Sequence, residues 1–103
     1  MTLRQKQSRF VKKVALLILY AYEQGYELTF GDAYADPQDA RHITNSLHYR
    51  RLAIDLNLFK DETFLNKTED HQKLGNFWES LGGSWGGRFE DGNHYSLEHN
   101  GRK

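Results

Sequence analysis

The sequence predicts an α+β domain, a small antiparallel sheet with flanking helices. Three observations predict it. Apolar residues recur at helical spacing near the N-terminus, where Phe10, Val14, Leu17 and Ala21 share one face. Residues 52 to 59, LAIDLNLF, alternate in the manner of a half-buried strand. Residues 70 to 81, DHQKLGNFWESL, return to helical spacing with Leu74, Phe77, Trp78 and Leu81 on one side.

The chain has 103 residues, enough for a single domain, 1–103, with one modest core. Hydrophobic residues make up 38% and charged residues 27%, a globular rather than a disordered balance. Fourteen basic residues equal 14 acidic ones, so no global field points to nucleic acid or an anionic membrane. There is no cysteine, which excludes disulfides and thiolate metal sites and leaves His, Asp and Glu as metal donors.

The elements follow in order. MTLRQKQSRFVKK and the nine-residue run VALLILYAY imitate a signal peptide. The run is short, leads into Glu23-Gln24 and lacks a small-residue cleavage site, so it reads as an amphipathic core helix. It is too short to span a bilayer, and no stable membrane insertion is expected. Gly25 is its stop signal. Tyr26 to Phe30 reads as a strand, and Gly31 to Asp39 as a loop into a short helix near Pro37. Lys60-Asp61-Glu62 is a turn, and Thr63-Phe64-Leu65 the return strand of a hairpin. GGSWGG reads as a glycine-rich connector, and Phe89 to Leu97 as a loop into a last strand, YSL. The tail is expected to fray.

Asp55 is the anomaly. Aspartate is disfavoured within strands and is rarely buried unless paired or metal-bound. It can face solvent, because strand neighbours point to opposite sides. It also stands seven residues after His48, and Asp91-Gly92-Asn93-His94 follows near the C-terminus. Two histidines and one aspartate can supply three ligands to zinc, leaving a fourth position open for chemistry. Residues seven apart lie on opposite faces of one strand, or about 10 Å apart along a helix. His48 and Asp55 can therefore share an ion only if the chain turns between them, at Tyr49-Arg50-Arg51. Asp91-Gly92-Asn93 is strong turn chemistry and can bring Asp91 beside His94. Asp91 would then serve as proton acceptor for the attacking water.

The order S-x-H-x(6)-D in SLHYRRLAID, followed by D-x-x-H after a tryptophan–glycine stretch, resembles one family. It is the zinc peptidases of bacterial cell-wall peptides: D-Ala-D-Ala carboxypeptidases and dipeptidases, and phage L-alanyl-D-glutamate endopeptidases. The resemblance covers roughly residues 10 to 97 and implies the fold shared with the Hedgehog signalling domain. It implies His48, Asp55 and His94 as ligands of Zn2+, Asp91 as the general acid/base and Ser46 as a supporting hydrogen-bonding residue. The chain departs from the family at DAYAD, where Ala35 stands at the position of an expected arginine. Arg41, Arg50 or Arg51 are the substitutes within reach of the sequence.

The resemblance implies cleavage of a peptidoglycan stem peptide, most directly the L-Ala-D-Glu bond, by a monomeric phage or prophage lysin. Such a protein would be made in the host cytoplasm and act at the cell wall. The rivals are a D-Ala-D-Ala carboxypeptidase or dipeptidase, a non-catalytic zinc or wall-binding module, and a small structural phage protein with incidental histidines. Of the remaining residues, Trp85 is expected to line a cleft. His42 and His71 read as solvated, and His99 as an idle tail residue that rivals His94. Glu90 is the alternative base.

Overall fold

A computed structural model describes residues 1–31 and 50–99. Helix α1 runs Leu3–Glu23. Thr2 caps it in a reciprocal box: its hydroxyl accepts from the Gln5 amide at 3.1 Å, and the Gln5 side chain accepts from the Thr2 amide at 2.9 Å. Phe10, Val14, Leu17 and Ala21 are its buried residues. Gly25, at φ +87°, closes the other end. There Tyr26 N–H donates to Ala21 and Gly25 N–H to Tyr22, the paired bonds of a Schellman stop.

Among the described residues, β1 (Glu27–Phe30), β2 (Ala53–Lys60), β3 (Thr63–Leu65), β4 (Ser84–Trp85) and β5 (His94–Ser96) form one antiparallel sheet. The order is β1-β2-β5-β4, with β3 also paired to β2. Helix α2 spans Gln72–Ser80 after a 3₁₀ turn at Thr68–His71. A second 3₁₀ turn, Gly86–Phe89, follows β4.

β2 is the spine. Ile54, Leu56 and Leu58 are buried in one core with α1 residues, Leu74 and Trp78 of α2, and Tyr95 of β5. The two helices thus cover that face, and Asp55, Asn57 and Phe59 occupy the other by alternation. Phe10 meets Trp78 edge-on at 5.8 Å, and Tyr20 stacks on Phe77 at 4.1 Å, locking α1 to α2. The Trp78 indole N–H donates to the Ser96 carbonyl at 2.9 Å, which ties α2 to β5.

The β2–β3 turn has positive φ at both Asp61 (51°) and Glu62 (68°). This is the twist a two-residue hairpin requires, achieved without glycine. The expected connector GGSWGG is instead an edge strand and a 3₁₀ turn. Pairing of Ser84 with Ser96 and Trp85 with Tyr95 decides this, and no local pattern announces such a partner. The last strand begins one residue earlier than expected, at His94, because that residue pairs with Asp55. No described helix is long and apolar enough to cross a membrane.

Candidate functional site

Asp55 and His94 stand directly opposite each other on β2 and β5. The neighbouring pair, Leu56 and Asn93, is hydrogen-bonded through Leu56 N–H to Asn93 O at 2.9 Å. Alternation makes Asp55–His94 a non-hydrogen-bonded pair, the type in which side chains approach most closely. Asp55 Oδ1 lies 3.2 Å from His94 Nδ1. Both side chains keep less than one-fifth of their surface exposed, at 19% and 17%, so the pair is sheltered yet reachable from solvent.

On its other strand edge Asp55 faces a glycine. Gly31 continues the β1 register, donating its N–H to the Asp55 carbonyl at 2.8 Å. A Cβ there would lie 3.1 Å from Asp55 Cβ. Asp55 thus has His94 opposite it on β5 and the Gly31 backbone opposite it on the β1 side.

Asp91 enters through a turn. Its carbonyl accepts from His94 N–H at 3.1 Å, closing Asp91-Gly92-Asn93-His94 into a hydrogen-bonded β-turn. Its own N–H donates to Gly86 O at 2.9 Å. The carboxyl group is solvent-exposed at the start of the turn that delivers His94. Glu90 precedes it in a left-handed conformation, φ 58°, and is also exposed.

The turn is braced from the core. The Trp85 indole N–H donates to Gly92 O at 2.7 Å. The ring lies against Gly75 and Gly87, whose places would put a Cβ within 2.1–2.5 Å of ring atoms. Gly86 backs the turn likewise, since a Cβ there would fall 2.2 Å from Asp91 O and 2.7 Å from His94 Cβ. Trp85 is only 4% exposed, which corrects its reading as a cleft-lining residue. Ring burial on two glycines overrides the exposure that its glycine-rich setting suggested. The glycines at 75 and 87 were the available signal, but nothing local tells which ring they accommodate.

His71 is a second correction. It was expected in solvent, and it is 2% exposed. Its Nδ1 meets the Tyr95 hydroxyl at 2.8 Å, and the ring also hydrogen-bonds the Leu65 backbone. Burial pulls its pKa below the ordinary imidazole value, against opposing contributions from Asp70 and Leu65. Burial likewise pushes the Tyr95 phenol up, so that it stays protonated. His99 Nδ1 lies 3.3 Å from Lys6 Nζ on α1.

Arg51 is exposed at φ 57°, in the turn that precedes β2. Gln7 of α1 donates to the Arg50 carbonyl at 2.8 Å and fixes that turn. His48, Ser46, Arg41, His42 and Ala35 lie outside the described residues. Among the described residues, no group of three or more His, Asp or Glu converges as a complete metal site.

The two described donors do suit zinc. With bonds of about 2.0–2.2 Å and a tetrahedral angle, two donors on one zinc lie roughly 3.3 Å apart. The Asp55–His94 separation of 3.2 Å agrees with that edge and equally with a direct hydrogen bond. A carboxylate and an imidazole, both largely buried and convergent, are donors that borderline-soft zinc accepts.

An antiparallel sheet presenting this pair, with a second carboxylate on the adjoining turn, has the equipment of a small hydrolase. The chain belongs to the D-alanyl-D-alanine carboxypeptidase family of peptidases, whose model matches residues 39–97, more than half of the sequence. The match takes in Asp55, Asp91 and His94 as well as His48. Membership makes the chain a peptidase of the peptidoglycan-acting kind. A search of curated proteins found no match.

Proposed function

We propose that this protein is a zinc metallopeptidase that hydrolyses the L-Ala-D-Glu bond of peptidoglycan stem peptides, as a phage or prophage lysin. One observation supports it above the others. Asp55 and His94 converge at 3.2 Å inside the family-matched segment, with Asp91 opening the turn that ends at His94.

In this reading His48, Asp55 and His94 would hold the zinc, which would supply polarisation of the scissile carbonyl and a water of lowered pKa. Asp91 accepts the proton of the attacking water and returns it to the departing amine. Its exposure suits this work, because the carboxylate meets substrate and solvent without the penalty of burial. The β2–β5 pairing holds Asp55 and His94 opposite each other. Ser46, Arg41 and Arg51 are the proposed supporting and substrate-binding residues, with Arg41 or Arg51 standing in for the arginine absent at Ala35. Acting on the wall, the protein would work outside the compartment of its synthesis.

The test is digestion of purified peptidoglycan, with mass spectrometry of the fragments, beside an Asp91→Ala control that retains zinc. New L-Ala–D-Glu ends, absent in the control, are the expected result. No cleavage by zinc-loaded protein across several wall types would overturn the enzymatic reading and favour a zinc-dependent wall-binding module. The family's description favours a second reading, removal of terminal D-alanine. A substrate with a blocked C-terminus separates the two, because only a carboxypeptidase requires the free carboxylate.

A further inference from the structure

We propose that the cleft between β3 and β5 is a subsite for a carboxylate-bearing substrate residue, with Lys67 as its anchor. The proposal rests on the peptidase reading above and extends it to a substrate group.

The cleft follows from the sheet's topology. One edge of β2 carries two strands in succession: β5 opposite Ala53–Asp55, and β3 opposite Leu58–Lys60. They separate at Leu56-Asn57, and a pocket of about 160 Å³ opens there. Asp91 belongs both to its wall and to the turn that delivers His94. Asn57, another lining residue, lies two positions along β2 from Asp55, on the same sheet face and roughly 7 Å away. That is about the spacing of two residues in an extended peptide. A peptide with its scissile bond over Asp55 and His94 therefore reaches this pocket with a residue within two positions of that bond.

The pocket's chemistry selects the group. Lys67 is the one lysine or arginine in its lining, and Glu90 and Asp91 are its anions. Among the described residues, no carboxylate lies within ion-pair distance of the Lys67 ammonium. A substrate carboxylate would give that ammonium a charge-assisted hydrogen bond. Glu90 and Asp91 would repel the same carboxylate and so confine it to the Lys67 side, fixing the direction in which the peptide lies. The floor is rigid, because buried His71 is held by the Tyr95 hydroxyl and the Leu65 backbone.

Calorimetric titration with product-side peptides tests the subsite without turnover. The probes are a peptide beginning with D-glutamate, its α-carboxyl either free or amidated, and D-alanine beside its amide. Wild type is expected to bind a free carboxylate at least tenfold more tightly than its amide. Lys67→Gln should abolish that preference, and Lys67→Arg should keep most of it. A Lys67-dependent preference seen with D-glutamate supports the endopeptidase substrate. The same preference seen with D-alanine alone supports the subsite and assigns it to the carboxypeptidase. No preference in wild type, no binding of either form, or a preference that survives Lys67→Gln overturns the subsite. Wall cleavage without a Lys67-dependent preference refutes the subsite alone. The preference without cleavage refutes the peptidase reading alone.

Discussion

The Trp85 indole N–H donates to the Gly92 carbonyl at 2.7 Å, joining a core ring to the turn that carries Asp91 and His94. The position of His94 thus depends on a residue that never reaches the site's surface.

Replacing Trp85 by Phe keeps most of the apolar bulk and removes the N–H. The buried Gly92 carbonyl then loses its donor, at a cost of about 1–3 kcal/mol. Zinc affinity should fall by roughly 10- to 100-fold, as expected for loss of a group that orients a ligand. Denaturant unfolding and competitive zinc titration measure the two effects. Unchanged zinc affinity would confine Trp85 to a packing role.

The proposed ligands have separable signatures from Asp91. Asp55→Ala and His94→Ala should abolish stoichiometric zinc binding. Asp91→Ala should retain zinc and lose about 10²- to 10⁴-fold in hydrolysis, the range for a general acid or base. Zinc at 100 times its Kd should stabilise wild type by about 2.7 kcal/mol, and a chelator should reverse this. Thermal melts with and without zinc, run on all four proteins, check the set.

The hairpin turn holds Asp61 and Glu62 at φ 51° and 68°. An L-residue with a Cβ pays about 1–2 kcal/mol for that conformation, and glycine does not. Glycine also loses more freedom on folding, which offsets part of the gain. Glu62→Gly should therefore stabilise the fold by about 0.5–1 kcal/mol in urea unfolding. A loss of stability would contradict the left-handed assignment.

His71 makes stability fall with acid. Its folded pKa lies below the ordinary imidazole value, so the native state favours the neutral ring. Its contribution is complete above about pH 6.5, the unfolded value, and declines as pH falls from there through the folded pKa. Stability measured from pH 8 to pH 5 should drop on the acid side. His71→Gln, which keeps a polar group beside Tyr95, should flatten that part of the profile.

Much of this protein was legible in the order of its residues. The four-residue stripe of α1, its Gly25 stop and the alternation of β2 are local patterns, and backbone sterics and burial enforce them locally. The SLHYRRLAID and D-x-x-H motifs were legible through their resemblance to a peptidase family, and the Asp91-Gly92-Asn93 turn through its residue types. Tertiary structure decided what sequence spacing does not encode. It set the register that places His94 opposite Asp55. It buried His71 against Tyr95 and made Trp85 a brace rather than a cleft wall. It also opened a pocket where β2 changes partners. Each of these depends on contact between segments distant in the chain, and side-chain periodicity reports only the face on which a residue lies. Which partner it meets there is fixed by strand pairing and core packing.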